Sequence, residues 1–187
     1  MTASRSLASP PIVRRVRTPE WREIRDLRIE AVGDSAAAIA FLSTVEQERA
    51  HKDEFWRDRA AGAALSDSAA QFIADDAGRW VGTVTVLLRD EGTDDHLGRT
   101  VATRRADIVG VYVSPPQRGT GLLGRLFDAA ADWAEERGVD DLTLDVHRDN
   151  HRAQAAYRKL GFVPTGESFT SVIGPEIVMA RPGRVSA

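Results

Sequence analysis

The chain has no cysteine. That excludes disulfides, thiolate metal sites and a cysteine nucleophile, and it gives no support for secretion. Long apolar runs are missing as well; none approaches the ~20 residues that a membrane span requires. The basic N-terminal stretch, with Arg5, Arg14 and Arg15, has no apolar segment beside it and does not read as a signal peptide. Excess charge of one sign is also lacking. The net charge is −3, which disfavours a broad electrostatic grip on nucleic acid. What is present is ordinary for a globular protein: 42% hydrophobic and 28% charged residues over 187 positions, enough for one domain with its own core. The expected setting is the cytoplasm, with no membrane partner.

Residues 1–11, rich in Ser, Ala and Pro, read as a disordered tail, and residues 182–187 as a flexible one. Residues 12–181 carry no linker and no repeat. Ile12 to Val16 alternates apolar and basic residues, as a short strand does. Thr18-Pro19-Glu20 is a helix start, and Trp21, Ile24 and Ala31 follow at helical spacing until Gly33-Asp34. The Ala-rich stretch 35–45 is apolar around Phe41. Glu46 to Ala61 predicts one charged helix carrying Phe55 and Trp56. Strands are expected over Ala70–Asp75 and Trp80–Leu88, joined at Asp75–Gly78, and over Thr103–Val113. Leu122, Leu126, Ala130 and Trp133 form the apolar stripe of a helix that ends at Gly138. Leu142–Val146 is a strand. Asn150 opens a helix that presents Ala153, Ala156, Tyr157 and Leu160, and Gly161 closes it. Phe162-Val163 begins a further strand, and Val172-Ile173 with Ile177–Met179 completes the sheet. This element order implies a mixed α/β domain around one sheet.

The most informative stretch is Gln117 to Gly124, Gln-Arg-Gly-Thr-Gly-Leu-Leu-Gly, between a β-branched run and the leucine-rich helix. Unpaired N–H groups and the macrodipole make such a helix start an anion site, and glycine lets the backbone come close. Three phosphate-binding patterns fit. Gly119, Gly121 and Gly124 spell the dinucleotide fingerprint, with Asp145 placed to hold a ribose. In that fold, however, the first glycine ends its strand, whereas Ser114–Arg118 separates Val113 from Gly119. Only about 40 residues follow Asp145, too few for the rest of such a domain. A nucleotide-triphosphatase loop fails because Arg125 and Leu126 stand where Lys and Ser/Thr are needed. The third pattern is a pyrophosphate loop built on Arg118, Gly119 and Gly121.

The string Gly110-Val-Tyr-Val-Ser-Pro-Pro-Gln-Arg-Gly-Thr-Gly121 resembles the signature of the GNAT family of acyl-CoA-dependent N-acetyltransferases. So does Asn150 with Ala153, Ala156, Tyr157 and Lys159-Leu-Gly-Phe162. The resemblance is specific over residues 103–165. It implies a mostly antiparallel mixed sheet with helices on both faces and splayed central strands. It implies acetyl transfer from acetyl-CoA to a primary amine by direct attack, with no metal. The alternative is a CoA-binding sensor or interaction protein of the same fold without catalysis. Dimers are common in the family, so a homodimer is an open expectation.

The same resemblance suggests residue roles. Backbone groups of Val111, Tyr112 and Val113 would bond the pantetheine arm. Backbone N–H groups of Arg118, Gly119, Thr120, Gly121, Leu122, Leu123 and Gly124 would hold the pyrophosphate. The family has Gly or Ala where this chain has Leu123. Asn150 reads both as a helix cap and as a pantetheine contact. Tyr157 reads as the acid that protonates the departing thiolate, or as core. For the general base Asp107 is the leading candidate, with Asp145 and Glu91 as rivals; an exposed Asp, at about 3.9, would need burial or a water relay to serve. His147 and His151 lack the one-face helical placement and the glutamate of a zinc pair.

Overall fold

Alternation sets the sheet. In β2 (Ala69–Asp76) the side chains of Ala70, Phe72 and Ala74 turn to one face and Ile73 to the other, as a period of two requires. The computed structural model describes residues 9–183; residues 1–8 and 184–187, most of the two expected tails, lie outside the described residues. Besides β2 the strands are β1 (Ile12–Arg15), β3 (Arg79–Arg89), β4 (Arg105–Val113), β5 (Leu142–His147), β6 (Val163–Ser171) and β7 (Gly174–Arg181). They form one seven-stranded sheet in the order β1-β2-β3-β4-β5-β7-β6. Every pairing is antiparallel except that of β4 with β5.

Helices cover both faces. On one lie α1 (Trp21–Val32), α2 (Val45–Ala50) and α3 (Asp53–Leu65), whose Ile24, Leu27 and Trp56 bury against Ile73 and Tyr112. On the other lie α4 (Leu122–Glu135) and α5 (His151–Lys159). There Leu126, Phe127 and Tyr157 pack with Val84, Ile108, Leu144 and Phe162. Each such side chain, fully buried, contributes about 1.5–3 kcal/mol.

Several local expectations need correction. The expected helix over 46–61 is two helices, broken at His51 and Lys52, whose backbones are extended. Each half has its own start. Thr44 Oγ1 accepts from the Gln47 N–H while the Gln47 side chain accepts from the Thr44 N–H, a capping box. Asp53 and Glu54 occupy the first turn of α3, where the dipole favours acids. Thr18 caps nothing: Thr18–Glu20 is a short 3-10 turn, and the Glu20 carboxylate accepts from the Arg17 N–H at 2.7 Å. Val172 and Ile173 are not strand. The pairing of Ser171 with Gly174 leaves them as the two-residue turn between β6 and β7, a turn that Gly174 permits with φ +119°.

Two irregularities open the centre of the sheet. The parallel pairing of β4 with β5 consists of Ala106 with Leu142 and Asp107 with Thr143, and then the strands part. At the same level the register of β4 against β3 slips by one residue, between Thr83 and Thr85. Gly110 sits in this bulge with φ +61°. A bulge bends its strand and adds local twist, here carrying β4 away from β5.

Candidate functional site

Past Asp107, the backbones of Ile108–Val113 and of Leu144–His147 stand apart and flank a cavity of about 810 Å³. Strand edges that part leave N–H and C=O groups without a ladder partner, and a ligand in the gap can pair with them. One end of the cavity is closed by Arg118, Gly119, Gly121, Leu123 and Gly124. The far wall is α5, with Asn150, Ala153, Ala156 and Tyr157.

The glycine loop has the geometry an anion needs. Gly119 and Gly121 take φ +77° and +87°, values that cost other residues roughly 1–2 kcal/mol. A Cβ at either position would meet nothing within 4 Å, so the loop faces open space. The first backbone bond of the helix runs from the Arg125 N–H to the Gly121 carbonyl, 3.3 Å. The amides before it form the positive end of a helix of 14 residues. Leu123 is accommodated: its side chain forms cavity wall and packs on the core beneath α4. Gly124 beside it lets the helices approach, with a Cβ there 3.5 Å from the Leu160 side chain. Two loop residues expected at the site do not line the cavity. The Thr120 hydroxyl donates to the Gln117 carbonyl at 2.8 Å, and the Leu122 side chain is buried core.

The side chain of Arg118 turns away from the loop opening. Its Nε donates to the Val113 carbonyl at 2.9 Å, and its guanidinium pairs with Asp34 at 2.6 Å. Burial works to raise the Asp34 pKa. Hydrogen bonds from the Ala36 N–H and from Arg118, with the charges of Arg118 and Arg152, outweigh it and hold Asp34 below the usual carboxylate range.

Asn150 caps α5, its Oδ1 accepting from the Ala153 N–H at 3.2 Å. Its amide also donates to the Ile39 carbonyl at 3.3 Å. This fastens the segment after α1, which lines the cavity through Ala36, Ala37, Ile39 and Phe41. Tyr157 lies against Phe127 and Phe162. Gly161, with φ +88°, and the bond from the Phe162 N–H to the Tyr157 carbonyl end α5 and swing Phe162 under that ring. The Tyr157 hydroxyl makes no hydrogen bond among the described residues. Burial pushes the phenol well above its ordinary pKa, so it stays protonated and its O–H is available to donate. Tyr112 is different. Its ring joins the opposite core, its hydroxyl donates to Glu30 at 3.1 Å, and burial followed by that carboxylate pushes it up to about 12.

A match to the acetyltransferase (GNAT) family spans residues 24–162. The chain belongs to that family. Its fold is that of solved GNAT proteins. The PaiA N-acetyltransferase of Thermoplasma acidophilum, solved with coenzyme A, superposes with a TM-score of 0.71 over 93% of this chain and 99% of that one, at 15% identity. The YncA protein of Salmonella typhimurium, solved with acetyl-CoA, gives 0.69 over 96% and 97%, at 18% identity. Likeness at these identities is one of fold. In sequence, the N-alpha-acetyltransferase 30 of Schizosaccharomyces pombe is 31% identical over 49% of this chain and 55% of its own length. The chain spans about half or less of the length of the first curated relatives it matches.

Within this GNAT fold the structure separates residues that the sequence grouped. Asp107 does not line the large cavity. It lies where β4 and β5 still pair, on an adjoining pocket of about 230 Å³. There Thr143 and Arg105 donate to it at 2.6 and 2.8 Å, and Arg89 stands 3.5 Å away. Asp145 lines both spaces. Burial pushes its carboxyl up, Arg99 at 2.6 Å opposes this, and the Glu176 charge adds to the rise. Glu91 lies on neither. His147 lies on the large cavity, where its Nδ1 accepts from the Asp149 N–H at 3.1 Å. Among the described residues no three metal-ligating side chains converge, and no helix is long and apolar enough to cross a membrane. Sequence reasoning missed Asp34, Ile39 and Glu176. Glu176 lies opposite His147 on β7 and lines both spaces, and its buried Oε1 has no hydrogen-bond partner. A charged residue immediately before the apolar run Ile177–Ala180 of β7 was the available signal.

Proposed function

We propose that the protein transfers an acetyl group from acetyl-CoA to an amine by direct attack. The observation that carries this reading is convergence. The glycine loop, the unpaired edges of β4 and β5, and the Tyr157 hydroxyl all border one cavity, and Glu176 borders both it and the adjoining pocket. The pyrophosphate fits the N–H groups at the start of α4, and the pantetheine arm fits the gap between the strands, where backbone groups of Val111 to Val113 can pair with its amides.

The acceptor enters through the adjoining pocket and its nitrogen attacks the thioester carbonyl carbon. The new C–N bond forms as the C–S bond breaks. The ammonium proton passes to a carboxylate, and the departing thiolate takes a proton from Tyr157. Glu176 suits the first transfer because the residue borders both spaces and its buried Oε1 is committed to no hydrogen bond. Asp107 Oδ1 accepts from Thr143 and Arg105, its Oδ2 takes no hydrogen bond and stands 3.5 Å from Arg89, and the residue lies on the smaller pocket alone.

The test is release of free CoA thiol from acetyl-CoA with a panel of amines, read for wild type and Tyr157→Phe. Amine-dependent release that falls in the variant supports the reading. Acetyl-CoA binding without release for any amine favours the non-catalytic CoA-binding protein instead.

A further inference from the structure

The adjoining pocket is lined by three arginines of α1, α3 and β4, and they are not equivalent. Arg28 is committed: its guanidinium pairs with Glu48 at 2.8 Å, donates to Ser43 and lies over the Phe41 ring. Arg105 is committed to Asp107 at 2.8 Å and to Asp95 at 3.5 Å. Arg59 has no hydrogen bond and no ion pair among the described residues, although it is partly buried and lines the pocket. Burial and the nearby Arg28 both work against its charge, with Glu48 too far to pair but acting in its favour. A guanidinium nonetheless remains protonated in proteins. The Glu48 carboxylate that favours its charge is already paired with Arg28, so the partly buried Arg59 can take an incoming anion as its own partner.

The same pocket holds the opposite deficiency. The Glu176 Oε1 is buried and takes no hydrogen bond. Arg59 and Glu176 therefore border a single small space, which shares Ile108, Gly110 and Leu144 with the wall of the Tyr157 cavity. A planar guanidinium fork matches a carboxylate with two parallel hydrogen bonds. At about 230 Å³ the space is below the roughly 300–1,000 Å³ usual for drug-sized ligands.

We infer that the acceptor is a small amine that also carries a carboxylate, an amino acid, with its carboxylate on Arg59 and its amine toward Glu176. This rests on the acetyl-transfer reading and narrows its acceptor. The orientation delivers the nitrogen to the side of the pocket shared with the thioester cavity, and it leaves neither charge of the acceptor unpaired. A plain polyamine would leave Arg59 facing a second cation.

The experiment compares each common L-amino acid with its carboxamide, and adds simple alkylamines and polyamines, in the CoA-thiol assay. Wild type, Arg59→Gln and Arg59→Lys are assayed, with thermal melts to confirm that each is folded. The expected result is at least one amino acid preferred over its carboxamide by tenfold or more in kcat/KM. That preference collapses toward one in Arg59→Gln, chiefly through KM, and survives in part in Arg59→Lys. Acetylation of carboxamides or alkylamines as fast as of the acids overturns the inference and leaves acetyl transfer standing. An acid preference that Arg59→Gln does not alter also overturns it. Binding of acetyl-CoA with no amine acetylated overturns both readings together.

Discussion

The guanidinium of Arg118 and the carboxylate of Asp34 meet at 2.6 Å, joining the loop before α4 to the chain segment that leaves α1. Because Arg118 also holds the end of β4 through the Val113 carbonyl, one side chain ties three pieces of the cavity wall together. Asp34→Ala leaves that arginine with one partner fewer in a mostly buried position. We expect a loss of about 1–3 kcal/mol in stability, reduced from the figure for a fully buried pair by the partial exposure of Arg118. Acetyl-CoA affinity should weaken with it. The pH dependence has a definite sign. Asp34 is held below its ordinary value, so its contribution is complete above about pH 4 and is lost as pH falls through the lowered folded value. Denaturant melts of wild type and Asp34→Asn should therefore differ at pH 7 and converge in acid.

Tyr157→Phe separates chemistry from packing. The hydroxyl makes no hydrogen bond among the described residues, so its removal should change stability by less than about 0.5 kcal/mol. If the phenol protonates the leaving thiolate, kcat should fall by roughly 10²–10⁴-fold, with acetyl-CoA binding retained. Equal losses in kcat and in thermal stability would make Tyr157 a packing residue only.

Glycines at two places should respond in opposite directions. Gly121→Ala forces a side chain onto φ +87° at the start of α4. It should cost about 1–2 kcal/mol and weaken acetyl-CoA binding, as measured by calorimetry. Gly62 is exposed inside α3, and a Cβ there meets nothing within 4 Å. Gly62→Ala should stabilise by about 0.5–1 kcal/mol and leave acetyl-CoA binding as it is.

The legible parts of this protein were those written in contiguous residues. The glycine loop, the Asn150 cap and the Gly161 stop each act within a few residues, and the structure shows each where local chemistry puts it. The sheet was readable because its strands alternate. The break at His51-Lys52 was not, since neither residue is a strong helix breaker; the Thr44 capping box and the acidic first turn of α3, Asp53 and Glu54, favour separate starts. Nor were the pairings of the site. Asp34 with Arg118, Asn150 with Ile39, and Glu176 opposite His147 are each brought together by the fold across long stretches of sequence. Asp107 shows the converse. It lies three residues from the bulge, yet the pairing with Thr143 keeps it below the point where the strands part.

Placement of the two carboxylates gives the last prediction. Glu176→Gln keeps the shape of the side chain and removes the carboxylate that we propose accepts the proton. Its kcat should fall by about 10²-fold or more, with the folded protein and acetyl-CoA binding intact. Asp107→Asn should behave in the reverse manner. Its carboxylate balances Arg105 and Arg89 in a buried setting, and neutralising it leaves both cations short of a partner. The cost should appear in stability, about 1–3 kcal/mol, while kcat in the folded fraction changes little. A pair of activity assays and denaturant melts decides between them. If Asp107→Asn loses turnover and Glu176→Gln does not, the proton leaves through the smaller pocket, and Asp107 regains the role that its sequence position first suggested.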